Sequence, residues 1–416
     1  MTREPVHWIT LCCVFLTALS ASVVLVPPVS RLAAHADIMD RPDSRKVHVT
    51  EIPRLGGVAI FFSFVIALLL FADFDRLILG FLAGAVIMFV TGLLDDVVGL
   101  TAVQKLAGQS VAASVAVLGG GIHLDGLGDV FGQGDVTLGI FAIPFTIFCV
   151  VGVSNAINLM DGLDGLAGGG VAIASGTFVI LGYLSGNHPL MYLGCALLGG
   201  VLGFLRYNTH PARIFMGDGG SLFLGYCMGI FSVMLVECGE SRISGFTPLT
   251  VLALPIADTI YVMVRRFREG KKLFAPDRSH LHHRLMGFGL GHGTTVTVLY
   301  AVSYALAAFA VVSYRLPDYS QLVALAGLLV LFSIPYGILQ TRTWCRFVRS
   351  NGNFGVQAKD ISILIILLAM ANPMQHYLGF TAIPLLLFVL SMTFIKKRNI
   401  LPMVLALFLL TVSSLI

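Results

Sequence analysis

The stretch NAINLMDGLDGLAGG places Asn155, Asn158, Asp161 and Asp164 at intervals of three between two long apolar runs. On a helix that interval stacks two amides and two carboxylates on one face. An Asp at the centre of a bilayer costs about 2.5–3.5 kcal/mol on insertion scales. Two of them within one turn need a compensating partner: water, a metal ion or a ligand. A tight acidic turn accounts for Asp161-Gly162 but not for the whole stripe, and the calcium-loop pattern D-x-[DN]-x-[DN]-G is not met.

Other segments carry matching chemistry. GLLDDVVGLTAVQKLAGQ sets Asp95 beside Asp96, with Lys105 soon after. Adjacent carboxylates repel, so one keeps its proton unless a cation compensates, which suits a base or a metal site. NTHPARIFMGDGGSLFLG puts Asp218 among glycines just ahead of Ser221, whose hydroxyl can cap the incoming helix. Amides at such a helix start can also face a phosphate. RRFREGKKLFAPDRSHLHHRLMGFGLGH gathers His280, His282 and His283 beside Arg278 and Arg284. With no Cys near, it fits no common zinc spacing, and it better matches a clamp for an anionic, phosphate-bearing substrate. DRPDSRKVHVTEIPRLGG adds Lys46, His48 and Arg54, which alone read as a cationic membrane anchor.

The elements that must position these groups are membrane helices. The chain of 416 residues is 57% hydrophobic and 12% charged, about half the charge of a soluble domain, with a mean hydropathy of +0.90. The predicted fold is all-α: a polytopic helical bundle with spans near 8–28, 57–73, 77–94, 103–121, 137–157, 166–184, 189–206, 221–236, 247–264, 294–314 and 321–340. Three further apolar runs follow at about 361–375, 378–394 and 400–416. The first span reads as uncleaved, with its N-terminus outside. Alternate loops, counted with their flanks, then hold all of the 26 Lys and Arg residues except Arg3, Arg76, Arg242 and Arg315. The same inward loops hold the Asp, Asn and His clusters, so the chemistry is expected at the cytoplasmic face. The seven cysteines include no CxxC pair and read as inert thiols.

Carboxylates for Mg²⁺ and cations for phosphates suit phosphoryl transfer, which needs mainly positioning and charge neutralisation. A site at the membrane edge would join a soluble activated donor to a lipid acceptor. The segments GLLDDVVGLTAVQKLAGQ, NAINLMDGLDGLAGG, NTHPARIFMGDGGS and PDRSHLHH, in this order, resemble the polyprenyl-phosphate N-acetylhexosamine-1-phosphate transferases. The resemblance covers about residues 8–340 and points to the WecA/TagO branch. MraY, the peptidoglycan-precursor branch, typically carries PxHHH where this chain reads SHLHH.

The resemblance implies that UDP-GlcNAc and undecaprenyl phosphate give undecaprenyl-diphosphate-GlcNAc and UMP, with Mg²⁺ or Mn²⁺. It implies that Asp218 holds the metal with Asn158 as a second ligand, and that Asp95 or Asp96 orients or deprotonates the lipid phosphate. Asp161 and Asp164 would position the nucleotide. Lys46 and Lys105 would neutralise phosphate charge, and Arg278, His280, His282 and His283 would contact diphosphate and sugar. Asn155 joins the substrate-binding set, and Asn208 supports the loop before Asp218. In-line attack and a covalent aspartyl intermediate both fit. The implied partners are a UDP-N-acetylhexosamine, undecaprenyl phosphate and the bilayer of a bacterial inner membrane, with no nucleic acid and with room for a homodimer. O-antigen, enterobacterial common antigen, teichoic-acid linkage and exopolysaccharide assembly all begin with such a step. Residues 1–340 form the transferase domain, and 341–416 exceed the branch resembled.

Two rivals remain. NxxDxxD at Asn158, Asp161 and Asp164 also fits a UbiA-like prenyltransferase, although DDVVG does not complete a second DDxxD site. A transporter of anionic glycolipids would need polar groups at the midplane, for which Asp258 is the best candidate.

Overall fold

A computed structural model describes residues 7–41, 51–271 and 280–339, with side chains as far as residue 330. Lys46, Arg278 and the predicted extension at 341–416 lie outside the described residues.

A helix stands at each of the eleven predicted segments. The first half comprises α1 (Trp8–His35), α2 (Gly56–Phe71), α3 (Arg76–Val98), α4 (Ala102–Ser114, prolonged by a π-helical turn at Val115–Gly119) and α5 (Ala142–Met160). Then follow α6 (Leu166–Ser185), α7 (His188–Asn208), α8 (Gly217–Glu237), α9 (Phe246–Val251) and α10 (Ala253–Arg268). The short α11 (Leu281–Gly287), α12 (His292–Ser313) and α13 (Asp318–Leu339) complete the described chain. Seven of these (α1, α3, α5, α6, α7, α8 and α12) are long and apolar enough to cross a membrane. The chain is an all-α, multi-pass membrane protein.

Departures from the predicted segments have local causes. The ninth is broken at Leu252 into α9 and α10, because Pro255 clashes with the carbonyl four residues back, at Val251. α1 runs seven residues past its predicted end, through Pro27 and Pro28, and buries Val29 and Ala33. Between α1 and α2, β1 (Met39–Asp40) and β2 (Ile52–Pro53) pair antiparallel, with Met39 opposite Pro53.

The core centres on α8, which is buried without a break from Gly219 to Phe231 and packs against α2, α3, α5 and α6. Small residues let backbones meet. A Cβ on Gly57 of α2 would overlap the backbone of Gly220, and one on Gly92 of α3 would overlap Asp218 and Gly219. The entry to α8 is also laced to the entry to α2. Phe215 N donates to Pro53 O, Gly56 N to Phe215 O and Gly57 N to Met216 O, each at 2.8 Å. These contacts fix the start of α8, and with it Asp218.

Candidate active site

Four helix ends and two turns converge here. Asp95 and Asp96 close α3, Lys105 lies in the first turn of α4, Asn158 in the last turn of α5, and Asp218 in the first turn of α8. Lys105 Nζ bridges them: it is 2.8 Å from Asp95 Oδ2, 3.3 Å from Asp218 Oδ1 and 3.5 Å from Asn158 Oδ1. Asn158 donates its amide to Asp218 Oδ1 and, at 2.8 Å, to Ser221 Oγ. Asp95 also accepts from Leu100 N at 2.8 Å.

Asp96 has a different task. Its Oδ1 and Oδ2 accept from Asp218 N and Gly219 N, both at 2.9 Å, and Arg54 donates to its carbonyl at 2.6 Å. It is 6% exposed. Two expectations are corrected by this. The helix begins at Gly217, four residues before Ser221, because a carboxylate distant in sequence caps it. The amides expected to face a phosphate face Asp96 instead, and Ser221 does not cap the helix but donates to Gly217 O. Gly217, at φ +70°, adopts a conformation that suits glycine, and a side chain there would strike Asp96.

The four-residue stripe is not one helical face. α5 ends at Met160, and the chain turns through Asp161–Gly165, with Gly165 at φ +78°. Asn155 pairs with Gln109 of α4 (2.7 and 3.3 Å), away from the carboxylates. The Asp161 side chain makes no hydrogen bond among the described residues. Burial, then Asp218 and Asp96, push its carboxyl up to about 8, although part of it still meets solvent. A neutral acid in that setting would release its proton to water on binding a cation.

Asp164 turns toward the α7–α8 loop. Its Oδ2 takes His210 Nδ1 at 2.7 Å and Ala212 N at 3.1 Å, and its own N–H donates to His292 Nε2 at 3.2 Å. Asn208 accepts from Gly165 N at 3.0 Å and donates to Ile214 O at 2.8 Å, so it does support the loop before Asp218.

The histidine loop docks on the same turn. Asp258 of α10 accepts from Leu281 N at 2.8 Å and pairs with His280 Nδ1 at 2.9 Å. The residue that best suited a transport midplane is thus used to anchor α11. The His282 ring lies against Gly162, where any Cβ would collide with it. His282 is buried, and burial followed by His283 lowers its pKa to about 3. It is a neutral ring stacked among His280 and His283, not a cation. His280 is buried as well, and of the three only His283 stays partly exposed.

Sequence reasoning missed Gln109, His210 and His292. His210 stood in the quoted NTHPARIFMGDGGS, and His292 closes the quoted histidine segment. No local spacing links either to Asp164.

A membrane bundle with acids and a lysine at converging helix ends defines a class, and the comparisons name it. The chain belongs to glycosyl transferase family 4, whose family model matches residues 78–236. Within that class it is 37% identical over 299 residues to a probable undecaprenyl-phosphate N-acetylglucosaminyl 1-phosphate transferase of Bacillus subtilis, covering 72% of this chain and 83% of that protein. It is 36% identical over 315 residues to the decaprenyl-phosphate N-acetylglucosaminephosphotransferase of Mycobacterium tuberculosis H37Rv, covering 68% and 78%. To the undecaprenyl-phosphate alpha-N-acetylglucosaminyl 1-phosphate transferase of Escherichia coli K12 it is 28% identical over 329 residues, covering 77% and 88%. These relatives bear out the resemblance read from the motifs.

Proposed function

We propose that the chain transfers N-acetylhexosamine-1-phosphate, GlcNAc-1-phosphate foremost, from a UDP-sugar to undecaprenyl phosphate with release of UMP. The names of the Bacillus and Escherichia relatives carry the same acceptor and the same transferred group. One observation carries the reading for this chain. A single ammonium, Lys105, serves both Asp95 and Asp218, while Asp161 beside them has no hydrogen-bond partner among the described residues. A divalent cation and substrate phosphates would balance that charge.

The oxygen donors present fit Mg²⁺, or Mn²⁺ in its place: Asp218 would hold it, with Asn158 and Asp161 at hand. When bound, the ion neutralises the donor's diphosphate. Lys105 turns from Asp218 to a phosphate oxygen. Asp95 orients the acceptor phosphate and takes any proton it carries. An acceptor oxygen attacks the donor's β-phosphorus, the bond from that phosphorus to the bridging oxygen breaks, and UMP departs with the oxygen. Asp96, engaged at α8, acts by fixing Asp218. His283, with Arg278 and Lys46, is assigned to the diphosphate and sugar. The charge bias supports a cytoplasmic face for this end, and the bacterial relatives support a bacterial inner membrane as its setting.

UMP release by the purified chain tests the proposal, with UDP-GlcNAc, undecaprenyl phosphate and Mg²⁺ omitted in turn. Release that needs all three is expected. Folded protein that releases no UMP from any UDP-N-acetylhexosamine would revive the prenyltransferase and transporter readings.

A further inference from the structure

His210 is held more firmly than a surface histidine needs to be. Its side chain is 51% exposed, yet Asp164 grips Nδ1 at 2.7 Å and its ring stacks on His292, with centroids 4.1 Å apart and planes 23° from parallel. His292 is itself set by the Asp164 N–H and is only 10% exposed at the side chain. One carboxylate therefore fixes the His210 tautomer, and one buried ring fixes its plane. Nε2 is left without a partner among the described residues. Asp164, His210 and His292 also place one ligand-type atom each within 4.8 Å. They are already engaged with one another, however: Oδ2 with Nδ1, and the Asp164 amide with His292 Nε2. That arrangement reads as one oriented histidine with two supports rather than as a metal triad.

We infer that His210 is a binding residue for the nucleotide half of the donor, with Asp164 and His292 as its positioning residues. The inference rests on the proposed use of a nucleotide-sugar. Asn158 at the end of α5 meets Asp218, Asp164 holds His210, and the short turn that carries Asp161 joins the two, so the turn runs from the phosphate end to His210. A diphosphate at Asp218 therefore has one arm of the donor running past Asp161 toward His210. A flat imidazole on an imidazole backing suits a planar base, which stacks on aromatic rings. Asp164, occupied by His210 and by Ala212 N, acts through the ring it holds.

The test uses the full chain in detergent with Mg²⁺. Calorimetry measures UMP binding, and initial rates give separate KM values for UDP-GlcNAc and undecaprenyl phosphate. His210→Ala is expected to weaken UMP binding and raise the donor KM by about tenfold, the scale of one lost base stack, with the acceptor KM almost unmoved. His210→Phe should recover most of the loss by restoring the ring. In the wild type, UMP should protect His210 from diethyl pyrocarbonate, read by peptide mass spectrometry, which needs no variant to fold. Unchanged UMP binding in His210→Ala, an equal rise in both KM values, or His210 modified as fast with UMP as without it would each overturn the inference. A wild type that binds UMP with His210 protected but never turns over a UDP-sugar would sink the proposed function and leave this site standing.

Discussion

The two ends of α8 are about 30 Å apart by helix rise, and at each several acids gather near a cation. At the far end, Arg242 forks onto Asp135 at 2.6 and 2.7 Å and reaches Asp318 at 3.5 Å. The other acids there are taken up by backbone amides: Asp318 accepts from Asp129 N, Glu237 from Asp125 N, and Asp129 from Gln133 N and Gly134 N. Arg242 and Asp135 are well exposed, so water screens the pair. At the near end Lys105, Asp95 and Asp218 are mostly enclosed, and Asp161 is left over. Where Asp135, Asp318, Glu237 and Asp129 each have an amide or a guanidinium, the cluster is a clasp. Where one is left without, the cluster has room for a ligand, and that asymmetry separates staple from site.

Mutations at the two ends should separate in the same way. Asp218→Asn is expected to cost at least about a thousandfold in turnover, roughly 4 kcal/mol of barrier, with melting temperature and helix content retained. Substantial Mg²⁺-dependent turnover in that variant would move the phosphate end elsewhere. Next comes Asp96→Ala, which strands two buried amides of α8. Thermal unfolding in detergent should show a stability loss of about 1–3 kcal/mol, with a smaller loss for Asp96→Asn. A wild-type melting curve for the Ala variant would show that Asp96 is not the cap.

His282 gives a graded effect. Its folded pKa of about 3 lies below the ordinary histidine value, so the unfolded chain binds the extra proton between the two. Its contribution to stability is full above about pH 6.5 and lost as pH falls toward 3. His282→Gln should flatten that part of the stability–pH curve, and an unchanged slope would count against a buried neutral ring. The smallest effect is expected of Arg242→Ala, which should leave UMP release unchanged and the melting temperature close to wild type. A large loss of activity there would dissolve the contrast between the two ends.

The helices were legible because apolar runs record bilayer-spanning segments directly, and the Asp95, Asn158 and Asp218 motifs were legible because their residue types are costly in an apolar setting. What escaped reading was where helices stop. The three-residue spacing of Asn155, Asn158, Asp161 and Asp164 mimics a helical face, yet the chain leaves the helix after Met160. The start of α8 was misplaced because its cap comes from Asp96, far away in sequence. His210 and His292 were missed for the same reason: their partner is tertiary. Pattern reading sees periods and local caps, and this site is assembled from helix ends that meet only in three dimensions.

Asp96 at the head of α8 also decides how the protein recognises anions. The positive end of a helix is an anion site fixed in place, and here it is already occupied by the protein's own carboxylate. In the proposed mechanism a phosphate is therefore received by side chains, foremost Lys105, whose ammonium sits on a flexible four-carbon stem. A fixed backbone site grips substrate and product alike. On that proposal a swinging ammonium follows the charge from donor to lipid and then returns to its carboxylates, which would let the site release the diphosphate lipid.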